Sequence, residues 1–167
     1  RDCLLSRGLG DVYKRQKVFI ADPERVLTAI DASTGKTVWR TKESMVRETV
    51  GLSEDKRRIY SKTMNDSVVC YSTTTDFPEK IWASNVGFGY EHAPSMPVEK
   101  EGVVFGSTKN GLMFGLDAHT GKVLWKHKVG NSLISTLVPL SKNKCLFTAT
   151  GGEIGLLVID YKINKHK

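Results

Sequence analysis

Long apolar runs are missing from this sequence. None approaches the ~18 residues of a membrane-crossing helix, so no segment reads as a helical span. Cysteine is scarce: Cys3 lies in a terminal stretch set aside below, and Cys70 and Cys145 sit in separate apolar runs. That spacing deduces no disulfide, and both read as buried free thiols. Neither a Gly-x-Ser-x-Gly turn nor a Walker-type loop occurs, and Gly151-Gly152 reads as a hairpin turn. The net charge is +7, yet the basic residues are scattered among acids, as in Glu54-Asp55-Lys56-Arg57-Arg58, or gathered at the end as Lys162, Lys165 and Lys167. Without a basic stripe interleaved with aromatics, no nucleic-acid partner is expected. No stretch sustains helical periodicity.

An initiating Met is missing too. Ser6 to Gln16 reads SRGLGDVYKRQ, which matches one frame of a translated sequencing-library adapter. Residues 1–16 are therefore expected to be a processing artefact outside the fold. Residues 17–167 are expected to be a C-terminal fragment whose true N-terminus and signal region lie upstream.

What is present is a repeat. Trp39, Trp82 and Trp125 stand 43 residues apart, twice over. A period in the forties marks a repeat architecture. Ala29-Ile30-Asp31-Ala32-Ser33-Thr34-Gly35-Lys36-Thr37-Val38-Trp39 aligns without a gap on Gly115-Leu116-Asp117-Ala118-His119-Thr120-Gly121-Lys122-Val123-Leu124-Trp125. The second copy is degenerate: Cys70-Tyr71-Ser72 replaces Ala-Ile-Asp, and the longer turn to Trp82 lacks the glycine. A fourth begins at Val158-Ile159-Asp160, with Asp160 43 residues after Asp117.

Short runs bounded by Gly, Asp, Asn and Ser read as strands. Three precede or carry each tryptophan: 18–21, 26–31 and 36–41; 58–62, 67–71 and 79–84; 103–107, 112–117 and 122–128. Two more follow at 144–149 and 156–161. A further run opens each later group at 49–53, 95–99 and 135–140. Four antiparallel strands every forty-odd residues describe a propeller blade. The expected fold is all-β, a partial β-propeller of about three and a half four-stranded blades. The first blade lacks its innermost strand and the last its outermost, which the N-terminal end of a complete chain would supply. Asp31 and Asp117 are placed to accept hydrogen bonds from turn amides. Gly35 and Gly121 supply a positive φ, and each indole fills the gap to a neighbouring blade.

The pattern A-x-D-x-x-T-G-K-x-x-W resembles the tryptophan-docking motif of quinoprotein, or PQQ-like, β-propellers. It is near-complete at 29–39, good at 115–125, partial at 70–82 and truncated at 158–167, so the resemblance spans nearly all of 17–167. It implies that Ala29, Asp31, Gly35, Trp39, Trp82, Asp117, Gly121, Trp125 and Asp160 lock blade to blade and bind no cofactor. A quinone dehydrogenase of this family would need clustered Ca²⁺ ligands, a base and, often, adjacent cysteines on the quinone. No such cysteine pair exists here, and the three aspartates are assigned to turns, so neither PQQ nor Ca²⁺ is expected in this fragment. The resemblance implies a non-catalytic scaffold in the periplasm or cell envelope of a bacterium, binding a protein or small ligand at its mouth or rim. Two other readings stay open: the C-terminal domain of a calcineurin-like metallophosphoesterase, and a fragment of a PQQ-dependent dehydrogenase. The Gly-Asn-His-Glu cluster of a two-metal hydrolase does not occur, Asp117-Ala118-His119 spells Asp-x-His but is a turn of the motif, and His92, His127 and His166 are scattered. No metal site is expected, and any catalysis would lie upstream.

The least repeat-like stretch is Val86-Gly87-Phe88-Gly89-Tyr90-Glu91-His92-Ala93-Pro94. It should cross from one blade's outer strand to the next blade's inner strand, near the central channel. Tyr90, Glu91 and His92 are candidate contact residues for a ligand or partner. Arg47, placed like His92 in the preceding copy, and Asn131 accompany them. The competing reading has Phe88 and Tyr90 covering the seam and Glu91-His92 solvated.

Overall fold

The structure, a computed structural model, describes residues 16–22, 24–41, 45–89 and 95–161, the side chains of residues 47 and 48 excepted. Fourteen strands and no helix are found among the described residues. Among these residues no helix is therefore long and apolar enough to cross a membrane.

The strands form four antiparallel sheets in chain order. The first holds β1 (Lys17–Ala21), β2 (Leu27–Asp31) and β3 (Thr37–Arg40). The second holds β4 (Val46–Leu52), β5 (Arg58–Thr63), β6 (Ser67–Ser72) and β7 (Lys80–Asn85). The third holds β8 (Val98–Lys100), β9 (Val103–Ser107), β10 (Leu112–Asp117) and β11 (Val123–Lys128). The last holds β12 (Ile134–Ser141), β13 (Lys144–Ala149) and β14 (Ile154–Val158). Two complete four-stranded blades thus stand between two three-stranded ones, the arrangement of a partial β-propeller. The inner strands are neighbours: β4 lies beside β1 and β8, and β8 beside β12.

Short hairpins follow from their turn residues. Asp66 (φ 60°) and Gly111 (φ 74°) take left-handed backbone between the second and third strands of their blades, as tight hairpins require. Two strand bounds differ from those expected of the sequence. β8 starts at Val98, where its pairing with Phe105 begins. β14 runs from Ile154 because Ala149 N bonds Glu153 O, as Thr108 N bonds Leu112 O in the third sheet, which pairs Lys144 with Val158.

Each pair of sheets encloses its own apolar layer. Leu27, Ala29 and Trp39 meet Ile59, Val69 and Tyr71 between the first and second sheets. Tyr60, Val68, Cys70, Trp82 and Phe88 meet Val104, Phe114 and Leu116 between the second and third. Val103, Phe105, Met113 and Trp125 meet Ile134, Leu137 and Cys145 between the third and fourth. Every sheet with two neighbours is therefore buried on both faces. The last sheet leaves Val138, Leu140, Leu146, Leu156 and Val158 exposed.

Close approach of the innermost strands depends on one glycine. A Cβ on Gly51 of β4 would lie 1.8 Å from the Pro97 carbonyl oxygen ahead of β8. Backbone on both sides leaves no side chain free to yield. Gly51→Ala is expected to cost about 2–3 kcal/mol in urea unfolding, because the second and third sheets must part near the axis.

Candidate functional site

The tryptophans are held by a row of three residues repeated in three sheets. Phe19, Ala29 and Trp39 are in register across β1, β2 and β3. Tyr60, Cys70 and Trp82 form the same row in the second sheet, and Phe105, Gly115 and Trp125 in the third. The middle residue is small, so the indole lies over it and meets the aromatic beyond. Ring centroids are 5.9 Å apart for Phe19–Trp39, 5.8 Å for Tyr60–Trp82 and 5.7 Å for Phe105–Trp125. A Cβ on Gly115 would fall 2.2 Å from Trp125 Nε1. One residue is left unpaired just before each tryptophan, Val38, Ile81 or Leu124. A bulge of this kind re-aims the side chain that follows it.

From this row the indole reaches the next sheet. Trp39 Nε1 donates to Thr75 O at 3.3 Å, and Trp82 Nε1 to Ala118 O at 3.1 Å. The Trp82 ring also lies on Gly121, whose Cβ would meet it at 2.7 Å. The same carbonyls accept a second donor from the second strand of the sheet before them. Lys17 Nζ reaches Thr75 O at 2.7 Å, and Arg58 Nη1 reaches Ala118 O at 3.1 Å. Lys17 pairs with Asp76 at 2.7 Å. Arg58 pairs with buried Glu99 at 3.6 Å, and Glu99 accepts the Tyr60 hydroxyl. Burial first, then this bond to Glu99, raises the Tyr60 pKa far above the phenol range.

The third joint is poorer. The position of Lys17 and Arg58, fourteen residues ahead of the motif's aspartate site, is Val103. Among the described residues, Trp125 Nε1 is buried with no acceptor at hydrogen-bond geometry. The Tyr161 hydroxyl donates to Lys142 O at 2.8 Å.

The motif's acids serve their turns. Asp31 Oδ1 accepts the hydroxyl of Ser33 and the amides of Ser33 and Thr34, among others. These bonds, led by the Ser33 hydroxyl, hold its pKa at about 2. Asp117 accepts the Thr120 hydroxyl and the amides of Thr120 and His119. Burial alone would raise its pKa, but these bonds together bring it below the usual value. Asp160 is exposed two residues past the corresponding place. Ile159 N bonds Asn143 O as Ala118 N bonds Gly102 O, so Val158 occupies the site of Asp31 and Asp117. The residues that would form its turn lie outside those described.

The crossing segments and the hairpins between second and third strands share one end of the sheets. Asn131 is exposed there, its amide close over Gly111. Tyr90, Glu91 and His92 lie outside the described residues, as does the Arg47 side chain on β4. Phe88 is buried and stacks on Phe114 with centroids 6.0 Å apart, covering the seam. Sequence reasoning passed over two groups at this end. Met45 and Met96, each 52% exposed, lead into the innermost strands of adjacent sheets. Lys62 is fully buried, its ammonium donating to Ser107 O at 3.1 Å and Ser95 Oγ at 3.3 Å. Its alternation along β5 gave no signal, since Lys62 takes an inward place that apolar residues usually fill.

Cys70 and Cys145 are free and buried. Burial, foremost, pushes their thiols up to about 12 and about 11. Neither is thus an activated nucleophile. Among the described residues, no three His, Cys, Asp or Glu side chains are grouped to hold a metal ion.

Gly35 and Gly121 share a φ near 70°, but only Gly121 bears an indole; nothing lies within 4 Å of a Cβ on Gly35. Gly121→Ala should cost about 1–3 kcal/mol more than Gly35→Ala in thermal or urea unfolding. Asp31 has a folded pKa below its unfolded value of ~3.9, so its contribution is full above about pH 4 and is lost as pH falls toward 2. Urea midpoints measured from pH 5 to pH 2 should therefore slope less steeply in Asp31→Asn.

The profile of the family described as outer membrane protein assembly factor BamB matches residues 4–76 and again 65–164. Two curated relatives bear that name. The Yersinia pestis protein is 28% identical over 135 aligned residues, covering 71% of this chain and 33% of that protein. The Nitrosomonas eutropha protein is 26% identical over 117, covering 70% of this chain and 27% of that one. The chain spans about a third of the length of these relatives. Among solved structures, BamB from Moraxella catarrhalis superposes with a TM-score of 0.69 at 15% identity, over 86% of this chain and 42% of that one. The computationally designed Ika4 protein gives 0.70 at 16% identity, over 86% of both chains. At those identities the two structures establish the fold alone.

Proposed function

The chain belongs to the PQQ-like repeat family of the outer membrane protein assembly factor BamB, and from that membership we propose that it is part of a non-catalytic protein-binding scaffold of the bacterial envelope, serving the assembly of outer-membrane proteins. The observation that carries this reading is the use to which the chain puts its polar groups. The motif acids cap turns, Lys17 and Arg58 tie one sheet to the next, and both thiols are buried and protonated. Each conspicuous group of the repeat is committed to holding rigid sheets in place, which is what a platform for another protein needs. The end of the sheets that carries the crossing segments offers the contact surface. Met45 and Met96 supply adaptable apolar area there, and Asn131 a polar contact. Tyr90, Glu91, His92 and Arg47 belong to the same surface in this reading, and no cofactor takes part.

The test is genetic and biochemical together. Disrupting the gene should lower the amount of folded outer-membrane protein in the envelope. In the complete protein, Tyr90→Ala with His92→Ala should weaken capture of its envelope partner at least tenfold while shifting Tm by less than about 2 °C. An unchanged outer membrane, with loss instead of a phosphoesterase or quinone-dependent dehydrogenase activity, would overturn the scaffold reading.

A further inference from the structure

At each of the two polar joints, the residue after the shared carbonyl also meets the cation. In the first joint that residue is Asp76, which follows Thr75 and pairs with Lys17 at 2.7 Å. In the second it is His119, which follows Ala118. Arg58 Nη1 lies 2.9 Å from His119 Nδ1 and 3.1 Å from Ala118 O. A guanidinium only donates, so His119 Nδ1 accepts in this contact. The imidazole that makes it is neutral, with its proton on Nε2. A carboxylate such as Asp76 keeps its charge through the neutral range, whereas histidine changes charge between about pH 5 and 8.

Protonation of His119 reverses the contact. Nδ1 becomes a donor facing a donor, and two positive charges stand where one stood. Arg58 cannot answer by giving up its own proton. Its side chain is 11% exposed, and its Nε is already buried without an acceptor among the described residues. His119 lies on an exposed turn, so the ring is the group that leaves. The other charges nearby do not restore the bond. Asp55 and Glu99 lie at Nη2 of the guanidinium, 3.7 and 3.6 Å away, and Tyr60 stays a neutral donor to Glu99. Asp117, on the same turn as His119, attracts an imidazolium, but its Oδ1 is occupied by the amides of His119 and Thr120 and by the Thr120 hydroxyl. Arg58 touches the ring directly and sets the sign.

We propose that His119 makes the joint between the second and third sheets responsive to pH. Neutral, it clamps Arg58 beside the Ala118 carbonyl that also receives Trp82; protonated, it releases Arg58 and slackens the apolar layer behind. The folded chain excludes from Nδ1 a proton that the unfolded chain takes up. The contribution is therefore full above the unfolded histidine value of ~6.5 and is lost as pH falls below it. The first joint, with Asp76 in the same place, stays closed over that range, so acid acts on one joint alone. That joint's layer also holds Val86 and Phe88, where the crossing segment begins. The device needs no partner and stands whether or not the scaffold reading does.

Thermal unfolding of the full chain from pH 8 to pH 5.5 tests this. Tm should fall by about 2–4 °C over the interval. His119→Asp sets a fixed anion opposite Arg58, as Asp76 stands opposite Lys17, and should flatten the profile. His119→Lys sets a fixed cation there and should hold Tm at its acid value even at pH 8. The position is exposed and is Ser33 in the first copy, so neither change adds bulk to the layer. His127→Gln, at an exposed place on β11, should leave the fall intact. A second readout needs no unfolding: in NMR spectra the Trp82 indole N–H, which shares the Ala118 carbonyl with Arg58, should shift with the same midpoint as the His119 ring. A flat profile in the unaltered protein would overturn the proposal. So would a fall that keeps more than half its size in His119→Asp, a fall abolished by His127→Gln, or a His119 titration that leaves the Trp82 indole unmoved.

Discussion

The contact on which this architecture depends is an indole laid across a small residue. In each of three sheets the tryptophan on the outer strand passes over Ala29, Cys70 or Gly115 and reaches an aromatic one strand further in. The side chain is thereby fixed along much of its length before it meets the next sheet. Two consequences follow. The sheet is stiffened crosswise, because one side chain spans three strands. The indole N–H is also presented at a set height, where the following blade offers a main-chain carbonyl. A flexible side chain could make the same hydrogen bond only by giving up rotamer freedom as it formed.

The joints differ in how many donors meet that carbonyl. Two are supplied at Thr75 and two at Ala118, an indole and a cation in each case. At the second joint the cation is nearly buried and is answered by Glu99, itself bonded to Tyr60. Charges withdrawn from water are tolerated when every partner is in place, and removing one strands the rest. The second joint is therefore the most demanding of its residues. The third has Val103 where the cation would be and relies on apolar contact among Phe105, Met113, Ile134, Leu137 and Cys145. Stability in such repeats is close to a sum over neighbours, so the polar joint and the apolar joint respond differently to salt and pH although their backbones match.

The periodic part of this was legible in the sequence. Trp39, Trp82 and Trp125 announced the repeat, and Asp31–Gly35 and Asp117–Gly121 their turns, because these features depend on residues close in sequence. The cations were not legible. Lys17 and Arg58 look like surface charges, and their partners lie 58 and 60 residues away. Asp160 misled for a related reason: it keeps the 43-residue spacing, but Lys144, which pairs with Val158, follows Trp125 by 19 residues where Val103, which pairs with Asp117, follows Trp82 by 21, and this leaves Val158 at the motif's place. Counting along the chain assumes connections of constant length between sheets, and the one from Trp125 into the last sheet breaks that assumption.

The degenerate second copy joins these threads. Its turn lost the Asp and the glycine and grew longer, yet Trp82 kept both its row and its carbonyl. The inward side of the blade was held by packing, while the outward side was free to vary. What varied there is the outer strand: β7 carries its cation, Lys80, ahead of the tryptophan where β3 and β11 carry theirs after it, and Phe77 and Ile81 stand in solvent. A repeat protein has few ways to make one blade distinct without weakening a joint. Changing the outer face of an outer strand is one of them, since those positions contribute little to either neighbouring layer. Specific recognition on such a scaffold should therefore be sought where a copy departs from the repeat at solvent-facing positions while its inward positions still conform.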